Sequence, residues 1–127
     1  MTYIIKRYED LPVVFFAMEK DYRMRVHANE AMSKLFEILH ASNQPLFLIM
    51  DLRDLTLSVS DLISGTNHTA QDLNLFDNPK IIDTIVITKN RMLKYAAKGI
   101  NSPVFGNVKI HVTKNIDEAL NIVRRRV

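Results

Sequence analysis

The chain has 127 residues and a formal net charge of +3, with 47% hydrophobic and 24% charged residues. This length and balance predict one folded domain spanning residues 1–127 and argue against intrinsic disorder. The absence of cysteine excludes disulfides, thiol catalysis and zinc–thiolate sites, and no apolar run is long enough to span a membrane. Charged residues occupy the positions near the N-terminus where a signal peptide needs its apolar centre, so we expect a soluble, cytoplasmic protein.

Two segments rich in β-forming residues open the chain, residues 3–8 and Val13–Met18, and the short connection between them predicts a β-hairpin. After Asp21 the apolar residues follow the three-to-four-residue spacing of an amphipathic helix. This helix should end near Asn43, because Pro45 disfavours helical geometry in the residue before it.

The middle of the chain alternates between predicted strands and helices. Residues 46–50 are apolar at every position, which is typical of a central strand covered on both faces. Ser58 is suited to cap a second helix that continues to about residue 73, and residues 81–88 are predicted to form another strand. A short third helix is predicted between Asn90 and Gly99.

Apolar and polar residues alternate over 108–113, which predicts a half-exposed strand at the edge of the sheet. Asn115 and Glu118 have the spacing of a helix cap and predict a last helix directly after this strand. The fold class is therefore α/β, with a single five-stranded mixed sheet in the order β-β-α-β-α-β-α-β-α, an N-terminal hairpin and then parallel strands. Right-handed crossovers would place the helices mostly on one face, so either one helix or a second copy, in a symmetric homodimer, must cover the other face.

Residues 50–65, MDLRDLTLSVSDLISG, resemble the central segment of the bacterial STAS or SpoIIAA-like superfamily, the fold of the anti-sigma-factor antagonists. Uncharacterised bacterial SpoIIAA-like proteins also share an Arg-Met/Leu helix start after the fourth strand, here residues 91–93, and a closing segment matched by residues 108–120. The resemblance implies a STAS-like fold and a non-enzymatic role in bacterial signalling or regulation. Some members are similar to Sec14 lipid-binding domains, which implies as an alternative a module that binds a small anionic or lipid-like ligand.

Ser60 is the candidate modification site that this resemblance implies. In the anti-sigma-factor antagonists, a kinase phosphorylates the first serine of an Asp-Ser-Ser/Thr-Gly-Leu motif at the start of the helix after this strand. Ser60 lies at the matching position, but Val59 replaces the aspartate, and Asp61 and Leu62 replace the two residues after the serine. The alternative is a helix-start serine that bonds backbone N–H groups.

Charged and hydroxyl side chains are predicted to gather at the carboxyl edge of the sheet, where open α/β folds place their binding sites. The residues of this carboxyl-edge rim are Asp51, Arg53, Asp54, Ser58, Ser60 and Arg91. They could bind a protein partner, or hold a small anion between the arginines and the helix starts. In a purely structural explanation, Asp51–Arg53 or Asp54–Arg91 ion pairs tie the loops together.

Enzyme motifs are absent from the sequence. Its three glycines cannot build a P-loop or a dinucleotide-binding turn, and no serine lies in a nucleophile elbow. The four histidines lack the spacing of a metal site, so we interpret them as isolated surface residues and expect no metal or cofactor. Although Asp51 and Asp54 could act as acid and base in principle, we expect a protein that is not an enzyme.

The C-terminal third of the chain is basic. Residues 84–127 carry nine basic and two acidic side chains, whereas residues 1–83 carry eight basic and twelve acidic ones. A basic stripe of Arg91, Lys94 and Lys98 on the predicted third helix could meet phosphate groups or anionic lipid. No nucleic-acid-binding module is recognisable, so we do not expect nucleic-acid binding and favour solvated helix faces with a frayed tail over residues 124–126.

Overall fold

The computed structural model describes residues 2–22, 24–54, 79–89 and 110–127. Within these ranges lie five strands and two helices: β1 (Tyr3–Arg7), β2 (Val13–Met18), α1 (Met24–Ala41), β3 (Leu46–Asp51), β4 (Ile81–Ile87), β5 (Ile110–Thr113) and α2 (Ile116–Arg126). Each of these elements corresponds to one predicted from the sequence. The predicted second and third helices lie outside the described residues.

The strands form one mixed sheet in the order β1-β2-β3-β4-β5. β1 and β2 make an antiparallel hairpin, and the pairs from β2 to β5 are parallel. The predicted α/β architecture with a five-stranded mixed sheet is therefore confirmed. Arg7 ties the turn of the hairpin, because its Nη1 donates to the carbonyl oxygens of Tyr8 and Leu11, the latter at 2.8 Å.

α1 covers one face of the sheet. Ala31, Leu35 and Leu39 follow the helical spacing predicted for this segment, and all three are buried. They pack in one apolar cluster with alternate residues of β2 and β3: Val14, Phe16, Met18, Leu46, Leu48 and Met50. Every second residue of the strands and every third to fourth residue of the helix is apolar, so the apolar face of the strands packs against the apolar stripe of α1.

α2 covers the opposite face. Its Ala119 and Val123 are buried against a second cluster made of Val13, Phe47, Ile49, Ile85 and Ile87. The expectation that the helices lie mostly on one face stays a prediction, because the predicted second and third helices lie outside the described residues. Of the two predicted covers for the second face, a helix and a second copy, the helix lies over these residues.

The N-terminus of α2 is capped as the sequence predicts. Asn115 Oδ1 accepts a hydrogen bond from the Glu118 backbone N–H at 2.9 Å, and Glu118 Oε2 accepts one from the Lys114 N–H at 2.7 Å. Free N–H groups at the helix start are thereby satisfied. The helix continues to Arg126, so the interpretation of residues 124–126 as a frayed tail was wrong.

β5 lies at the edge of the sheet, as predicted, but its polar side does not face water throughout. Thr113, which the alternation assigned to the exposed side, is buried. Its Oγ1 donates to the carbonyl oxygen of Val86 at 3.2 Å. The alternation failed here because it describes a strand with one open face, whereas α2 packs on the side to which Thr113 belongs.

β4 contains one irregularity in its pairing with β3. Leu46 pairs with Ile81, but Leu48 pairs with Thr84, so β4 has one residue more than β3 between these two points. A bulge of this kind leaves the extra residue out of the ladder and bends the strand. As a result, Ile81 packs in the cluster under α1, whereas Ile85 packs in the cluster under α2.

Candidate functional site

The carboxyl-edge rim begins where β3 ends. Asp51 is the last residue of β3 and is aligned with Ala17 of β2 and Ile87 of β4, so the carboxyl ends of three parallel strands meet at one level. The chain turns immediately afterwards, and Arg53 and Asp54 in this turn are exposed. Lys89, just after β4, is exposed as well.

Asp51 and Arg53 form a bidentate ion pair. Arg53 Nε donates to Asp51 Oδ1 at 2.9 Å, and Nη2 donates to Oδ2 at 2.8 Å. The Arg53 backbone N–H also donates to Oδ1, at 3.1 Å. Each carboxylate oxygen therefore has a donor, and the turn after β3 is held by side-chain and main-chain bonds to one residue.

This pairing sets the charge state of Asp51. Burial would raise the pKa of the Asp51 carboxyl, but the hydrogen bonds from the side chain and backbone of Arg53, together with its charge, outweigh burial and lower it. The same partner raises the pKa of Arg53. Asp51 is thus held as a carboxylate whose oxygens are occupied by Arg53, which does not suit a general acid.

The structure brings together only part of the predicted rim. Asp51, Arg53 and Asp54 lie in one short turn, and the Asp51–Arg53 pair is one of the two loop ties that the sequence suggested. Ser58, Ser60 and Arg91 lie outside the described residues, as do Lys94 and Lys98 of the basic stripe. The binding role of the rim and the phosphorylation of Ser60 stay predictions.

A buried phenol lies near the same edge of the sheet. Tyr22, between β2 and α1, is only 5% exposed, and its ring centroid lies 6.2 Å from that of Phe16 and 6.1 Å from that of Tyr3. Its hydroxyl has no hydrogen-bond partner among the described residues. Burial, with a smaller contribution from Tyr3, raises the pKa of Tyr22 to about 12.

A second charged cluster, which the sequence reasoning missed, lies under α2. Asp83 of β4 is buried, and its Oδ2 accepts a hydrogen bond from Arg126 Nη1 and lies 3.3 Å from His111 Nε2. Arg126 also lies over the ring of Phe47, with 5.2 Å from its guanidinium carbon to the ring centroid. The interpretation of His111 as an isolated surface histidine was therefore wrong. The one available indication was an acidic residue in a strand of mostly apolar residues, because a buried acidic residue needs a cationic partner.

Two further properties concern the described residues only. They contain no group of three or more histidine, aspartate or glutamate side chains arranged to hold a metal ion. None of the helices in this part of the chain is long and apolar enough to cross a membrane.

No model of a known protein family matches the chain, and no curated protein matches it. The structure is similar to the crystal structure of an uncharacterized protein of the DUF3478 family from Shewanella loihica, which is described as having a SpoIIAA-like fold. The match covers 95% of this chain and 91% of that chain, with a TM-score of 0.64 and 15% sequence identity. At this identity the likeness establishes the fold, and the chain therefore has the SpoIIAA-like α/β fold that its sequence motifs indicated.

Proposed function

We propose that this chain is a non-enzymatic, STAS-like regulatory domain that binds a protein partner through the carboxyl-edge rim, and that it acts as a homodimer. The observation that carries the first part is the Asp51–Arg53 pair. Its three hydrogen bonds restrain the exposed turn after β3, which lowers the entropy lost when a partner docks there.

The charges of the rim support contact with a protein more than catalysis. Asp51 is neutralised by Arg53, while Asp54 and Lys89 expose one charge of each sign near the ends of adjacent parallel strands. Exposed charges of both signs give an interface orientation and specificity. Among the described residues of this edge, these two charges do not form a concentrated field of one sign for a small anion.

The proposal is tested by affinity capture from the native lysate with quantitative mass spectrometry. The rim variant is Asp54→Arg, which reverses an exposed charge beside Arg53 and keeps both residues of the Asp51–Arg53 pair. The matched control is Glu37→Arg, an exposed acidic residue on α1. A protein captured by the wild type and the control, and reduced about tenfold or more with Asp54→Arg, supports the rim as the binding surface. Equal capture by all three chains contradicts it.

A second candidate function, binding of a small ligand, is favoured by Tyr22. The buried Tyr22 hydroxyl has no partner among the described residues, which is costly, and a ligand with a hydrogen-bond acceptor would satisfy it. Its position between β2 and α1 lies close to the carboxyl edge of the sheet, where this fold class binds ligands. Native mass spectrometry of the purified chain tests this candidate. A retained small molecule that is lost in Tyr22→Phe supports it, and an unliganded mass contradicts it.

A further inference from the structure

We propose that two copies of this chain pair through β1, antiparallel to each other, with Ile5 of one copy opposite Ile5 of the second. The two sheets would then join into one continuous sheet across a twofold axis. This inference names the surface of the proposed homodimer. It does not involve the carboxyl-edge rim.

β1 is an edge strand of the sheet. Within the part of the chain that the structure describes, β1 borders only β2. An open edge strand presents unpaired N–H and C=O groups to which another strand can be added. Ile4, the second residue of β1, is 40% exposed and is one of the few large apolar side chains that are exposed among the described residues.

The hairpin bonds determine which backbone groups of β1 face outward. The Tyr8 N–H donates to the carbonyl oxygen of Val13, and the Glu19 N–H donates to that of Thr2. Residues 2 and 8 therefore belong to hydrogen-bonded pairs with β2, and such pairs recur at every second residue of an antiparallel ladder. The backbone groups of Tyr3, Ile5 and Arg7 must then point away from β2, to the open edge.

These three outward residues select one register for a second copy. With Ile5 opposite Ile5, Tyr3 of each copy faces Arg7 of the other, and all three outward residues enter hydrogen-bonded pairs. Moving the second strand by two residues in either direction leaves one outward residue of each copy without a partner on the other strand. Only the register centred on Ile5 uses the whole edge.

The avoidance of charge repulsion favours the same register. It places Lys6 of each copy opposite Ile4 of the other, so that no two cationic side chains face each other directly. A shift of two residues that aligns Ile5 with Arg7 would bring Lys6 opposite Lys6, which is destabilising. Arg7 does not add to the repulsion, because its side chain is turned back to the carbonyl oxygens of the hairpin.

The absence of cysteine allows a direct test of the register. In hydrogen-bonded antiparallel pairs the Cα atoms lie about 5.5 Å apart, within the range that a disulfide can span. Under mild oxidation, Ile5→Cys should therefore give a disulfide-linked dimer. Ile4→Cys is the matched control, because Cys side chains at this position lie diagonally, about 8 Å apart between Cα atoms, beyond the reach of a disulfide.

A second test uses charge at the exposed Ile4 and leaves the buried side of β1 untouched. Ile4→Glu introduces an anion opposite Lys6 of the other copy, and Ile4→Lys introduces a cation there. Each change occurs twice in a twofold dimer. We expect the dimer dissociation constant, measured by sedimentation equilibrium, to differ at least about tenfold between the two variants, with Ile4→Glu the tighter.

The outcomes separate this inference from the rim proposal. Concentration-dependent dimerisation of the wild type, selective cross-linking at residue 5 and the predicted order of the charge variants support pairing through β1. A wild type that stays monomeric at all concentrations, equal cross-linking of the two cysteine variants, or the reverse order overturns it. None of these results changes the prediction for Asp54→Arg, which is read from partner capture alone.

Discussion

The guanidinium of Arg126, in the last turn of α2, donates a hydrogen bond to the carboxylate of Asp83 in β4. The Asp83 side chain is only 6% exposed, whereas that of Arg126 is 43% exposed. The contact therefore neutralises a buried acid with a cation from the surface. It also anchors the end of the helix that covers the second face of the sheet.

Removing this anchor should destabilise the fold. After Arg126→Ala, His111 is the contact that remains to the Asp83 carboxylate among the described residues. A buried carboxylate that has lost a cationic partner is costly. We expect a loss of about 2 kcal/mol in the free energy of unfolding, measured by urea denaturation. Arg124→Ala, an exposed arginine of the same turn, is the control and should change the value by less than about 0.5 kcal/mol. Equal effects of the two substitutions would show that the Asp83 contact contributes nothing specific.

The Asp51–Arg53 pair predicts a loss of stability in acid. Because the pKa of Asp51 is lowered in the folded protein, the pair stabilises the fold above the ordinary aspartate value of 3.8, and this contribution is lost as pH falls through the lowered value. Arg53→Ala should remove that part of the acid dependence. At neutral pH its cost should be about 0.5–1 kcal/mol, since the Arg53 side chain is partly exposed and screened by water.

Urea unfolding from neutral pH to below pH 3.8 measures this difference. Lys89→Ala, which removes another exposed cation near the same edge, should leave the acid dependence of the wild type intact. If the free energy of unfolding of Arg53→Ala changes with pH in the same way as that of the wild type, the acid dependence does not come from the Asp51–Arg53 pair.

The N-terminal cap of α2 should contribute to the stability of the fold. Asn115→Ala removes the acceptor of the Glu118 N–H, and the expected cost is about 1 kcal/mol, seen as a thermal midpoint lowered by a few degrees. Asn121→Ala changes an exposed asparagine in the middle of the same helix and serves as the control. If both substitutions lower the midpoint equally, the cap has no particular role.

Tyr22 predicts a loss of stability in alkali. Its folded pKa of about 12 lies above the ordinary 10.0, so the fold is favoured while the phenol stays protonated. This contribution is complete below pH 10.0 and is lost as pH rises toward about 12. Tyr22→Phe should reduce the alkaline loss, and an alkaline loss equal to that of the wild type would contradict this assignment. Unfolding followed by circular dichroism across this range compares the two chains.

The strands and the two described helices could be predicted because their signals are local. Periodicity marked α1, a continuous apolar run marked β3, and the spacing of Asn115 and Glu118 marked the start of α2. The side on which α2 packs is not a local property. It depends on contacts of Ala119 and Val123 with strand residues far away in the sequence, such as Phe47. Because α2 packs on the side to which Thr113 belongs, the alternation in β5 gave the wrong environment for this residue.

Among the charged contacts as well, the pair close together in the sequence could be predicted and the distant contacts could not. Asp51 and Arg53 are two residues apart, so their pairing was among the predicted alternatives. Asp83 is separated by 43 residues from Arg126 and by 28 from His111, and only the folded sheet brings them together. The general rule that a buried acid needs a cation could predict that a partner exists, but it could not select among the many basic residues of the C-terminal third.

The extra residue in β4 also affects how sequences of this fold can be aligned. Ile82 lies in the irregular stretch between Ile81 and Thr84 and is 38% exposed. A chain without this residue would pair Leu46 and Leu48 with the same partners in a regular ladder, and Ile85 and Ile87 would keep their places under α2. A one-residue gap at this point between two sequences is therefore compatible with the same core, and it marks only a difference in the local bend of one strand.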